Sequence, residues 1–209
     1  MLNPADHTYQ GIITGKKRAS VTTILAEEGY IQKRFYREGF ADLGTQVHKM
    51  LHAYDMGWKF SAPSIYLRYL EPWKKFLSHT GIKIIDSEVE IEYLLYSGFS
   101  GTLDKICLDP RCGYGIIDVK VSECGWIFWH EAQTEAYRQG LKWLPKYKNL
   151  DIKWRGGVIL GSECKMPKLI PHNRVPDISK IWSAIVVSNN TKHLYKIGTP
   201  EISESEGWK

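Results

Sequence analysis

The stretch GTLDKICLDPRCGYGIIDVKVS, from Gly101 to Ser122, carries charged side chains inside two apolar segments. The segments cover roughly 99–108 and 114–121 and are rich in residues that favour strands. Between them, Asp109-Pro110-Arg111-Cys112-Gly113 has the composition of a turn. The stretch therefore predicts two neighbouring antiparallel strands joined by a turn.

A turn centred on Arg111 would place Asp104 directly opposite Asp118 on the neighbouring strand. Because side chains alternate along a strand, Lys120 would lie on the same face as both aspartates. Two opposed carboxylates destabilise a sheet unless a cation or a raised pKa intervenes. A divalent cation with oxygen ligands would remove this conflict. The alternative is that Lys120 simply neutralises the aspartates at an exposed strand end.

Flanking segments predict helices on both sides of the hairpin. Ser20 or Thr22 could begin a short helix, and Pro72 should kink or split a helix that starts near Ser64. The other predicted elements are helices at 40–54 and 130–144, strands at 88–93 and 157–160, and a last helix after Asp177, for which a strand at 185–187 is an alternative. The sum is an α/β fold with an N-terminal helical segment and a central mixed β-sheet flanked by helices.

Composition limits the class of protein. The 209 residues predict one domain with a helical part at 1–80, a sheet-and-helix part at 81–162 and a C-terminal part at 163–209. A net charge of +5 suits a polyanionic partner without requiring one. The four cysteines form no CxxC pair, so we expect free thiols and no iron–sulfur cluster. The absence of a secretory signal and of a long apolar run predicts an intracellular, cytoplasmic protein without a membrane partner.

Five short motifs occur in a characteristic order. They are GKKRASVTTIL at 15–25, LGTQVH at 43–48, GTLD at 101–104, IDVK at 117–120 and QTEAY at 133–137. The last four resemble the core of PD-(D/E)XK nucleases of the RecB-like branch, including its GTxxH helix. The first is similar to the N-terminal segment of small phage exonucleases and of mitochondrial genome maintenance exonucleases. The resemblance covers about residues 8 to 145 and implies a restriction-endonuclease-like core.

The resemblance also implies roles for individual residues. It makes His48, Asp104, Asp118 and the Val119 carbonyl ligands of one or two Mg²⁺ or Mn²⁺ ions. Lys120 would orient the attacking water, while Gln133 and Tyr137, on one helical face, would reach the site or the DNA. Glu88 resembles the acidic residue that often precedes the GTxD strand, and Glu90 and Glu92 are alternatives on the same strand face.

Several cations, hydroxyls and aromatic residues are candidates for DNA contacts. The hydroxyls and basic side chains near the first helix suit a phosphate-binding corner, and cations interleaved with aromatics suit single-strand stacking. The candidates are Lys16, Lys17, Arg18, Ser20, Thr22, Lys33, Arg34, Arg37, Trp126 and Trp129. The alternative is a solvated basic face and tryptophans that pack in the core.

The resemblance implies a metal-dependent exonuclease that hydrolyses phosphodiester bonds at DNA ends and threads single-stranded DNA through its site. It would act in DNA recombination or repair, in the host cytoplasm if a phage encodes it, with a recombination or replication protein as a possible partner. Two alternatives stay open: a structure-specific endonuclease on the same fold, and a catalytically silent protein that binds DNA or regulates a partner.

Overall fold

The computed structural model describes residues 2–3, 8–31, 40–95, 98–121, 128–161 and 166–195. The described chain begins with a small antiparallel sheet of order β1-β2-β3, formed by Leu2–Asn3, Thr8–Gln10 and Lys17–Ala19. The prediction of a helical segment over the whole of 1–80 is therefore wrong at its start. Strands of two or three residues are too short to show the period-two pattern that identifies a strand in a sequence.

The central sheet has five strands in the order β4-β5-β6-β7-β8. Their bounds are Lys83–Tyr93, Phe99–Asp109, Gly113–Lys120, Trp154–Ile159 and Leu169–Pro171. Only the β6–β7 pair of this sheet is parallel, because the long connection through a helix returns β7 in the direction of β6. The sheet is mixed, as predicted.

Helices cover both faces of the central sheet. They are α1 Val21–Glu27, α2 Phe40–Asp55, α3 Ser64–Thr80, α4 Phe128–Leu141 and α5 Ile178–Tyr195. One core lies between the sheet and helices α1, α4 and α5, and a second lies between the sheet and helices α2 and α3. The protein is thus an α/β fold with a mixed central sheet flanked by helices.

Local signals explain the start of α1 and the end of α3. Ser20 begins α1, since its hydroxyl accepts the N–H of Thr23 at 2.9 Å. Gly81, with a φ of 72°, ends α3 in the left-handed conformation that glycine adopts without strain. The expected break at Pro72 does not divide α3, which runs through it. Leu70 and Trp73, which lie on either side of Pro72, pack into the core and hold the helix together.

The segment after Asp177 is the helix α5 rather than a strand, and α4 begins two residues before the predicted start. Among the described residues, no helix combines the length and the apolar character needed to cross a membrane.

Candidate active site

The β5–β6 hairpin has the predicted register. Its pairs run from Asp109–Gly113 at the turn to Lys105–Ile117. The ladder ends there, one position before Asp104 and Asp118. At this point the N–H of Val119 donates to Oδ2 of Asp104 at 2.6 Å, so a side chain replaces the next backbone partner. The site is built where β5 and β6 separate.

The β4–β5 pairing is interrupted at the same level of the sheet. Ser87 pairs with Lys105 and Val89 with Leu103, whereas Glu88 and Asp104 between them are unpaired. Glu88 has a φ of 53°, an unusual conformation for a residue with a side chain. Residues held in sparsely populated backbone conformations are found preferentially at functional sites.

This interruption corrects the prediction that Asp104, Asp118 and Lys120 share one face. Leu103 and Ile106, three positions apart, both pack in the core with α4, so strict alternation fails between them. Asp104 instead lies beside His48 of α2, at 3.6 Å from its Oδ1 to Nδ1 of the imidazole. Ile117 and Val119 pack on the α2–α3 side, which leaves Asp118 and Lys120 on the α4 side. The groups converge from two faces at the gap between the strands.

His48, Glu88 and Asp104 form a compact cluster. Each offers one ligand atom, and these atoms lie within 4.8 Å of one another. Nδ1 of His48 is 3.4 Å from Oε1 of Glu88. Burial lowers the pKa of His48, but the charges of Asp104 and Glu88 outweigh it and raise that pKa overall. Burial raises the pKa of Asp104 to about 7, and the carboxylates of Asp118 and Glu88 act in the same direction. The cluster therefore favours an added positive charge.

Asp118 begins a chain of polar contacts on the other side of the gap. Nζ of Lys120 lies 3.0 Å from Oδ1 of Asp118 and 2.9 Å from Oε1 of Gln133. Gln133 in turn donates to the hydroxyl of Tyr137 at 2.6 Å. Burial raises the pKa of Tyr137 well above its ordinary value, which keeps the hydroxyl protonated. The predicted residues Lys120, Gln133 and Tyr137 are thus joined in one network.

The donor set suits a hard divalent cation. Oδ2 of Asp118 is buried and accepts no hydrogen bond from the described residues, although Nζ of Lys120 lies 2.9 Å away. Carboxylate oxygens are ligands for Mg²⁺ and Mn²⁺, and an imidazole is more acceptable to Mn²⁺. His48, Glu88 and Asp104 could hold such an ion. Asp118 lies outside this cluster, and its part as a ligand stays a prediction. The N–H of Val119 binds Asp104, while the part of its carbonyl as a ligand stays a prediction.

The geometry selects Glu88 among the three glutamates of β4. Glu92 is fully buried elsewhere, where Nε of Arg18 lies 2.6 Å from its Oε1. Nε of Arg18 is therefore held in an internal ion pair, and a contact of Arg18 with DNA stays a prediction. Ser20 is also buried, and its hydroxyl caps α1. The ion pair of Arg18 could not be read from a sequence in which its partner Glu92 is 74 residues away.

The remaining candidates for DNA contacts are distributed unevenly. Lys16 and Lys17 are exposed, Thr22 is half-buried beside Ser20, and the ring of Trp129 lies 5.0 Å from Nζ of Lys120. Trp129 thus belongs to the site on α4. The other candidates, Lys33, Arg34, Arg37 and Trp126, lie outside the described residues.

Two supporting contacts were not predicted. Lys105 is fully buried behind the site, 2.7 Å from Oδ2 of Asp55 on α2, and its Nζ donates to Ser87 at 2.7 Å. The hydroxyls of Tyr9 and Thr102 are 3.1 Å apart and tie β2 to β5. Lys105 next to Asp104 in the sequence would have been assigned to solvent, since lysine is almost never fully buried unless it is paired.

Comparison with known proteins adds little to this description. No protein-family model matches the chain, and no curated protein matches it. Among solved structures the chain is similar to the crystal structure of SSO0001, with 16% sequence identity over 82% of this chain and 84% of that one. The TM-score is 0.36, and a likeness at this level identifies no activity.

Proposed function

We propose that the chain is a Mg²⁺- or Mn²⁺-dependent deoxyribonuclease with a restriction-endonuclease-like core, acting as an exonuclease at DNA ends. The observation that carries the proposal is the meeting of the His48–Glu88–Asp104 cluster with the Asp118–Lys120 pair where β5 and β6 separate. The order of the GTLD, IDVK and QTEAY motifs, which resembles that of RecB-like nucleases, agrees with this geometry.

The His48–Glu88–Asp104 cluster would hold the cation together with Asp118. When bound, a divalent ion would supply Lewis-acid polarisation of the scissile phosphate and a lowered pKa for the attacking water. Burial, together with the charges of Asp118 and Glu88, raises the pKa of Asp104 to about 7. A bound cation would offset these like charges.

Lys120 would position the attacking water and offset the negative charge that develops on the phosphate oxygens. Asp118 and Gln133 hold its ammonium group from two sides, and Tyr137 fixes Gln133 in turn. Water would attack the phosphorus as the P–O3′ bond breaks, which leaves a 5′-phosphate on one product and a 3′-hydroxyl on the other. Such an enzyme would act on DNA in the cytoplasm, alongside proteins of recombination or replication.

Digestion of three end-labelled substrates tests the proposal: a linear duplex, a linear single strand and a closed circle, each with Mg²⁺, Mn²⁺ or EDTA. We expect metal-dependent loss of linear DNA with the circle spared. A nicked or linearised circle would instead indicate an endonuclease. Inert substrates with every metal would refute the nuclease and leave a DNA-binding or regulatory protein.

Two variants connect the activity to the site. We expect Lys120→Ala and Asp118→Asn to lower cleavage by roughly 100- to 1000-fold while binding to DNA in EDTA is kept. The matched control is Lys180→Ala, which removes an exposed lysine that pairs with Asp177 at the start of α5. Full cleavage by Lys120→Ala would contradict the assigned role.

A further inference from the structure

The β2–β3 hairpin displays two adjacent isoleucines to solvent. Ile12 and Ile13 are 47% and 42% exposed in the turn between the strands, and we call these two side chains the apolar tip. Lys16 and Lys17, both exposed, follow on the same hairpin. Exposed isoleucines in a surface turn need an explanation, since turns are usually rich in polar residues.

A buried carboxylate holds the turn rigidly. Oε2 of Glu92 accepts the N–H of Ile13 at 2.7 Å and the N–H of Thr14 at 3.1 Å. Oε1 accepts the Thr14 hydroxyl at 2.5 Å and Nε of Arg18 at 2.6 Å. The turn is also closed by backbone bonds between Gly11 and Lys16 and between Gly15 and Gly11, each at 2.9 Å. The apolar tip is therefore presented in a fixed position.

The hairpin lies beside the candidate active site. Tyr9 on β2 contacts Thr102, which stands two residues before Asp104 on β5. Glu92, which holds the tip, is four residues from Glu88 along β4, a distance of about 13 Å at the usual rise of a strand. This separation equals about four base-pair steps of B-form DNA. A DNA end engaged at the tip would place its strand within reach of the site.

The size and charge of the tip favour a nucleic acid as partner. Two isoleucines offer far less area than the roughly 800 Å² that each partner buries in a stable protein interface. They are, however, of the size of the apolar wedges that proteins insert between base steps. The neighbouring lysines can contact the phosphates on either side of an opened step.

We propose that the apolar tip is a wedge that opens the terminal base pairs of a DNA duplex and delivers one strand to the site. This inference rests on the proposed nuclease function, and it goes further by assigning a strand-separating element to residues 11–17. A single-stranded substrate needs no separation. The tip should therefore matter for duplex ends and not for single strands.

The test compares digestion of a blunt-ended duplex and of the matching single strand by the double variant Ile12→Ser/Ile13→Ser. We expect the duplex rate to fall about tenfold, while the single-strand rate stays within twofold of wild type. The control is Ile65→Ser, which removes an isoleucine that is 51% exposed on α3. This control should leave both rates unchanged.

A second variant guards against a folding defect. Thr14→Val keeps both isoleucines but removes one hydrogen bond to Glu92, so the duplex rate should fall about threefold with the single-strand rate preserved. An equal loss on both substrates, or no loss on either, in the double variant would overturn the wedge. Failure of the wild-type protein to digest either substrate with any metal would instead refute the underlying nuclease function.

Discussion

Glu92 and Asp104 are buried carboxylates on the same β4–β5 hairpin, yet their surroundings differ in kind. Glu92 accepts two backbone N–H groups, a hydroxyl and a guanidinium. Asp104 accepts one backbone N–H and otherwise faces an imidazole and two further carboxylates. Burial alone would raise the pKa of Glu92, but its hydrogen bonds outweigh burial and hold that pKa below its ordinary value. Burial raises the pKa of Asp104 to about 7.

The difference distinguishes a structural carboxylate from a functional one. A carboxylate whose partners already satisfy its charge stabilises the fold and has nothing left to bind. A carboxylate buried among like charges is unfavourable in the isolated protein and becomes favourable when a cation arrives. The contrast predicts that loss of negative charge will destabilise the protein at one position and stabilise it at the other.

Glu92→Gln should have the largest effect on stability. The substitution leaves the guanidinium of Arg18, which is only 9% exposed, without its counter-charge, and breaking a buried ion pair costs about 3 kcal/mol or more. The pKa of Glu92 is lower in the folded protein than in the unfolded chain. The ion pair therefore stabilises the fold at pH values above the pKa of the unfolded chain, and this stabilisation is lost as the pH falls through the pKa of the folded protein. Urea unfolding in EDTA at pH 7 and at decreasing pH measures both effects.

The control for this variant is Glu71→Gln on α3. Glu71 pairs with Lys74 at 2.8 Å but is 64% exposed, and a surface pair contributes about 1 kcal/mol at most. Equal losses of unfolding free energy in the two variants would mean that Glu92 is no more than a surface charge.

Asp104→Asn should act in the opposite direction in metal-free protein. Asparagine keeps an oxygen that can accept the N–H of Val119 but removes a charge that burial and Asp118 oppose. Because the folded pKa of about 7 lies above the unfolded value, wild-type stability falls as pH rises from about 4 to 7. We expect Asp104→Asn to raise the free energy of unfolding by about 2 kcal/mol at pH 8 in EDTA.

The same measurement at pH 4 serves as the internal control, because both proteins are then neutral at this position and the difference should vanish. Destabilisation by Asp104→Asn at pH 8 would show that the ionised carboxylate is satisfied, as Glu92 is.

The hairpin register was predictable because the turn at 109–113 is local, and the observed pairs follow it to Lys105–Ile117. The Ser20 cap was predictable for the same reason. The placement of Asp104 was not, because tertiary contacts break the alternation on which it depended. Lys105 is drawn toward Asp55 and Ser87 on the α2 side, and Asp104 beside it faces His48 on that side too. The sequence shows both residues but not the buried partners.

The binding of a divalent cation should distinguish Asp104 from Glu92 directly. Its expected effect on the free energy of unfolding is the smallest of those predicted here. A ligand that binds only the folded state at ten times its dissociation constant stabilises it by about 1.4 kcal/mol. We expect Mn²⁺ to raise the free energy of unfolding of wild type at pH 7 by this amount relative to EDTA.

Asp104→Asn should lose the increment, since the substitution removes a ligand charge from the cluster with His48 and Glu88. Glu71→Gln should keep the increment, since Glu71 is an exposed carboxylate outside the proposed cation site. If Mn²⁺ acted only through surface charge, this variant would lose part of the increment as well. An increment that survives in Asp104→Asn would place the cation elsewhere and remove the physical reason for treating Asp104 differently from Glu92.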